Sequence, residues 1–176
     1  MLISKFLTLL RRLGAMFSLL CITACASVQL NWQSLKTQIR NQFPTVAHIS
    51  TTEFKEGYLG KSLLVDVRND DEFAVSHIAG AVHFQDAGKL AAWIKQQPAQ
   101  PVIVYCSVGY RSAQMVQSLQ KLGIKPVFNL EGSIFEWANK GDPVVTQAGP
   151  TTKVHPFNEK WGQLLETQYH PKPGTD

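Results

Sequence analysis

A chain of 176 residues is long enough for one domain with a full core and short for two. With 44% hydrophobic and 17% charged residues it is not a disordered chain. The formal charge of +4 does not describe a nucleic-acid surface, because Lys5, Arg11 and Arg12 supply most of it and no acid precedes residue 25.

The chain opens on basic residues and then the apolar stretch Leu13-Gly14-Ala15-Met16-Phe17-Ser18-Leu19-Leu20-Cys21-Ile22-Thr23-Ala24-Cys25. That stretch is shorter than the ~20 apolar residues that span a bilayer, and long enough for a secretory signal core. Its end, Ile22-Thr23-Ala24-Cys25, resembles the lipobox of bacterial lipoproteins. The resemblance implies removal of residues 1–24, lipid on Cys25 and a lipid-anchored protein of the bacterial cell envelope. Ala26 follows where an Asp commonly retains such proteins at the inner membrane, so the outer membrane, with the domain facing the periplasm, is expected. The alternative is an uncleaved anchor running from Leu13 to about Leu30. Cys21 leaves with the signal and Cys25 carries lipid, which makes Cys106 the one free thiol of the mature chain and leaves no internal disulfide.

Residues 25–44 read as a tether with a short helix, in which Trp32, Leu35, Ile39 and Phe43 recur at helical spacing and pack on the domain. From residue 45 short apolar runs alternate with helical patterns. Strands are predicted at 46–49, 62–67, 81–84, 102–105 and 126–130. Helices are predicted from Thr51, taken as N-cap, and over 70–76, 90–97, 112–122 and 133–140. Such alternation implies an α/β domain, a five-stranded and mainly parallel sheet with helices on both faces, over 45–146. Residues 147–176 form a tail, with one docking helix at 158–167 presenting Trp161, Leu164 and Leu165 on one face.

The fourth strand ends on Cys106, and parallel sheets bind ligands beyond the carboxyl ends of their strands. The loop Cys106-Ser107-Val108-Gly109-Tyr110-Arg111 then enters a helix, whose first amides form an anion cradle. Such a setting lowers a cysteine pKa below its free value of ~8.5. Gly109 lets the backbone turn, and Arg111 adds a fixed cation with a planar fork suited to an oxyanion. A buried, inert cysteine is the alternative for Cys106 alone.

Cys106-Ser107-Val108-Gly109-Tyr110-Arg111-Ser112 resembles the active-site loop Cys-x-x-Gly-x-Arg-Ser of rhodanese-domain sulfurtransferases. Two further stretches resemble that family's signatures: residues 64–73 with His77-Ile78-Ala79-Gly80-Ala81, and residues 130–137 with Gly141-Asp142-Pro143-Val144. The departures are Ser76 and Ala79, where Gly and Pro are usual, and Ser133, where a second Gly is usual. The resemblance implies a rhodanese-like fold and a sulfur relay through a Cys106 persulfide, with Arg111 as the second catalytic residue. Its partners would be a small anionic donor such as thiosulfate and a thiol or cyanide acceptor. Ser107, Val108, Gly109, Tyr110 and Arg68 are the expected substrate contacts. Phosphatases and arsenate reductases of related fold use a loop one residue longer; that chemistry, and a non-catalytic binding module, are the alternatives. Asp66 is expected to hold loop amides or Arg68, His77 to be a structural hydrogen-bonder and Trp137 to lie in the core. His48, His83, His155 and His170 lack metal-ligand spacing, so no metal or cofactor is expected.

Overall fold

The structure, a computed structural model, describes residues 30–172. The expected signal segment and Cys25 lie outside the described residues. Among the latter no helix is long and apolar enough to cross a membrane.

Helix α1 (Trp32–Gln42) is capped by Asn31, whose side chain accepts from Ser34 N–H. Its Leu35 and Ile39 enter the core, followed by Phe43. Arg40 makes a bidentate pair with Glu131, and Lys36 pairs with Glu136. Strand β1 (Ala47–Ile49) leads to α2 (Thr51–Glu53), which continues as a π-helical turn over Phe54–Tyr58. The N-cap is Ser50 rather than Thr51: Ser50 Oγ accepts from Glu53 N–H while Glu53 Oε2 accepts from Ser50 N–H, a reciprocal capping box. Thr51 is fully buried instead.

The remaining elements are β2 (Leu63–Asp66), α3 (Asp70–Val75), β3 (His77–Ile78), β4 (Val82–His83), α4 (Ala87–Ile94), β5 (Val102–Tyr105), α5 (Tyr110–Lys121), β6 (Val127–Leu130), α6 (Ser133–Asn139), β7 (Val144–Thr146), β8 (Gly149–Thr151) and α7 (Glu159–Gly162). The main sheet has the order β1-β6-β5-β2-β4, and every pairing is parallel. The chain moves one way across the sheet from β1 to β2 to β4, then back from β4 to β5 to β6. Right-handed crossovers therefore put α2 and α3 on one face and α4 and α5 on the other. This is the α/β architecture expected from the alternation of elements. The central strand β5 is buried at every position, as its unbroken Val-Ile-Val-Tyr run requires.

Boundaries differ where side-chain caps decide them. Helix α4 starts at Ala87 and not at 90, because Asp86 Oδ1 accepts from Lys89 N–H at 2.7 Å. Helix α5 begins at Tyr110, two residues early, so Arg111 belongs to its first turn. A second, antiparallel sheet of order β3-β7-β8 escapes the sequence reading. Its two- and three-residue strands carry no periodicity of their own and exist through pairs such as His77 with Val145.

The tail does not form one helix. Asn158 caps the short α7, and a 3-10 turn follows at Thr167–Tyr169. Between them the Asn139 side chain donates to Leu164 O and accepts from Glu166 N–H, at 2.8 and 2.9 Å. Main chain held that way cannot stay in a helical ladder. Val154, Leu164 and Leu165 are buried, and the tail lies against the carboxyl end of β5.

Candidate active site

Cys106 follows β5 directly and is 1% exposed. Its N–H donates to Ser133 Oγ at 3.1 Å, and Ser133 Oγ donates to Leu130 O at 2.9 Å. One hydroxyl thus ties the ends of two neighbouring strands together. Ser133 reaches them from a left-handed backbone, φ 51°, which explains why a glycine is usual in its place.

The sulfur faces inward along the loop. Gly109 N–H donates to Sγ at 3.2 Å, and Ser112 Oγ lies at 3.5 Å. Gly109 has φ 108°, so the turn that aims its N–H at the sulfur is open to glycine and strained for other residues. The Asn129 amide donates to Gly109 O and contacts His48 Nδ1, both at 3.0 Å, which fixes the peptide from behind. Burial pushes the Cys106 thiol up; the Arg111 cation, the Ser112 hydroxyl and N–H and the Gly109 N–H outweigh it, and the pKa lies below the ordinary thiol value. The thiolate is therefore more accessible than in a free cysteine.

Arg111 is engaged in a way its position in the sequence does not reveal. Its two terminal nitrogens donate to both oxygens of Glu72, at 2.7 and 2.8 Å, and one also reaches Ser107 Oγ at 2.9 Å. Ser107 Oγ in turn donates to Glu72 Oε1 at 2.8 Å. The fork thus holds a carboxylate of the protein, not an open oxyanion site. Glu72 is fully buried, and burial pushes its carboxyl up. The bonds from Arg111, Asn69 N–H and Ser107 more than offset this and keep it ionised below its ordinary value. From the sequence Glu72 is placed only within the predicted helix 70–76 and the signature-like stretch 64–73. The Asn69-x-x-Glu72 spacing of its capping box was visible there, but a partner 39 residues away was not.

Arg68 is a correction. Expected to contact substrate, it is fully buried and donates to both oxygens of Asp66 and to Ser76 O. A guanidinium so removed from water needs its carboxylate, and this pair ties the end of β2 to the turn after α3. Asp66 holds Arg68, and its Oδ1 also accepts from Arg68 N–H. Tyr105 OH accepts from Ile78 N–H beneath them. His77 Nδ1 lies 3.3 Å from Phe73 O, and Trp137 is buried. Among the described residues no group of three or more His, Cys, Asp or Glu side chains is placed to hold a metal ion.

A cavity of about 250 Å³ opens over the sulfur, lined by Cys106, Ser107, Val108, Tyr110 and Arg111. Tyr110 is tethered from outside, its OH accepting from Gln42 and its ring edge-on to Phe43. Two further lining residues, Phe157 and Trp161, come from the tail. Trp161 is one of the residues expected on the docking face of the tail, whereas no local pattern marks Phe157; only the docking of the tail brings both to the loop.

The chain shares 33% identity over 92 residues with YqhL, an uncharacterized protein of Bacillus subtilis, covering 52% of this chain and 72% of the relative. It shares 30% over 123 residues with a tRNA uridine(34) hydroxylase of Shouchella clausii, covering 66% of this chain and 38% of that longer protein. Among solved structures, a rhodanese-related protein of Thermoplasma volcanium superposes at TM-score 0.50 with 27% identity, over 57% of this chain and 99% of its own. A thiosulfate sulfurtransferase of Pseudomonas aeruginosa, at TM-score 0.55 and 21% identity, covers 74% of this chain and 25% of that one, and is similar in fold. The rhodanese-like domain model matches residues 50–140, more than half of the sequence, with the Cys106 loop inside the matched span. By that match the chain belongs to the rhodanese-like domain family.

Proposed function

We propose that this domain moves a sulfane sulfur through a persulfide on Cys106. The Sγ thiolate attacks the outer sulfur of a donor such as thiosulfate. The donor's S–S bond breaks, and its electron pair leaves with sulfite. The outer sulfur of the persulfide then meets the loop N–H groups, and a thiol or cyanide collects it. No external oxidant is needed, because the sulfur moves without its bonding electrons from one nucleophile to the next.

The observation that carries this reading is the thiolate site: a sulfur at the end of β5 facing Gly109 N–H and Ser112, with its pKa lowered, on the floor of a small cavity. Occupation of the Arg111 fork by Glu72 speaks against a phosphatase, which uses such an arginine on the phosphate. A second reading, uridine hydroxylation in tRNA, follows from the hydroxylase relatives. Against it stands the near balance of basic and acidic residues after residue 24, which offers little to a phosphate backbone. A lipid on Cys25 would place the reaction in the cell envelope.

The test is intact mass after incubation with thiosulfate. One added sulfur on the parent, removed by cyanide and absent in Cys106→Ser, is expected. An accessible thiol left unmodified by thiosulfate and by inorganic polysulfide would overturn the proposal.

A further inference from the structure

Phe157 and Trp161 lie beyond the span that matches the family, yet both wall the cavity over Cys106. The tail is built to keep them there. Val154 is fully buried and its N–H donates to Tyr169 O at 2.8 Å. Phe157 takes φ 65°, unusual for a bulky residue, and its N–H donates to His155 Nδ1 at 3.0 Å. Its ring covers the Arg111 guanidinium, 4.4 Å from ring centre to the central carbon. Asn158 and Asn139 hold the two ends of the α7 segment.

Burial orders the cavity from floor to rim. Cys106 is the floor; Phe157 and Trp161 are half-buried, and Tyr110 is 37% exposed. The rim is thus aromatic. Among the described lining residues the one lasting charge is Arg111, which pairs with Glu72 and lies under Phe157. An acceptor must reach the outer sulfur of the persulfide, one S–S bond or about 2 Å beyond Sγ. The rest of the acceptor therefore sits at the rim and not on the floor.

We infer that the tail forms the acceptor site and that Phe157 and Trp161 select a thiol carrying an apolar body. This rests on the persulfide reading above. The acceptor thiol passes its proton to the outer sulfur of the Cys106 persulfide anion and attacks that sulfur as a thiolate. A new S–S bond forms to the acceptor, the bond to Sγ breaks, and its electron pair returns to Sγ as thiolate. The proton stays on the transferred sulfur, so the product is the acceptor persulfide and atoms and charge balance.

The experiment loads the full chain with thiosulfate or inorganic polysulfide and follows discharge by intact mass. Phenylmethanethiol and 2-mercaptoethanol are compared as acceptors, two thiols of similar basicity that differ in apolar body. Phenylmethanethiol is expected to act at about tenfold lower concentration. In Trp161→Ala, and separately in the gentler Phe157→Leu, that ratio falls toward one. A parent that forms persulfide but treats the two thiols alike overturns this inference and leaves the sulfur relay standing. Variants that slow both thiols equally also overturn it, since the tail then only supports the loop. Absence of persulfide with either donor overturns both.

Discussion

Replacing Glu72 by glutamine separates two roles of one carboxylate. Glu72 accepts from Arg111 twice, from Ser107 Oγ and from Asn69 N–H, with no exposure to water. Glutamine keeps one acceptor oxygen and puts an NH2 group against a donor-only guanidinium. Breaking a buried ion pair costs about 3–5 kcal/mol; here the Arg111 side chain is 28% exposed and can rehydrate. A loss of about 2–3 kcal/mol is expected, the value of a charged hydrogen bond left partly unmade. The sulfur should respond in the opposite sense. Phe157 and Ser107 still hold Arg111, and with the carboxylate charge gone its field on Sγ is less balanced, so the Cys106 pKa falls further below the parent's. Urea unfolding gives the first quantity, and the pH profile of iodoacetamide alkylation gives the second. A stability change under about 0.5 kcal/mol, within the scatter of surface substitutions, would refute the structural role. A Cys106 pKa that rises would refute the electrostatic one.

Because the folded state lowers the Cys106 pKa relative to an unfolded thiol, the thiolate contributes stability that is complete above the unfolded value. This contribution is lost as pH falls through the folded pKa. Unfolding free energy should therefore rise with pH across that window in the parent and flatten there in Cys106→Ser, as urea titrations at stepped pH will read. Ser133→Ala removes the bonds to Cys106 N–H and Leu130 O yet keeps a Cβ at φ 51°, and should cost about 1–3 kcal/mol. Ser133→Gly should recover about 1 kcal/mol of that in the same thermal melts by relieving the left-handed backbone. Cys25→Ser should abolish lipid attachment and cleavage after residue 24, seen by cell fractionation and precursor length. A variant that stays membrane-bound at full length like the parent would support the uncleaved anchor instead.

The local grammar is legible in neighbouring residues. The run Val102–Tyr105, the cysteine that ends it, Gly109 and the helix after it are written in adjacent residues, because a buried strand, a left-handed turn and a helix start each depend on near-neighbour geometry. The alternation of such units was enough for the layered α/β sheet, since a parallel sheet leaves few ways to connect them. Cap positions were half legible: Asn69-x-x-Glu72 and Ser50-x-x-Glu53 are present as letters, but which oxygen wins is settled by side-chain reach. The rest comes from contacts between segments distant in the chain. Arg111 looked like an open anion hook until the docking of α3 brought Glu72 to it. Arg68 looked like a neighbour of the substrate until burial forced it onto Asp66. The strands of the second sheet and Phe157 have no signal of their own, and Trp161 reads as a docking residue without a destination. Each of these depends on surfaces far apart in the chain meeting to exclude water, and that meeting is selected by complementary burial over the whole fold, which no window of neighbouring residues contains.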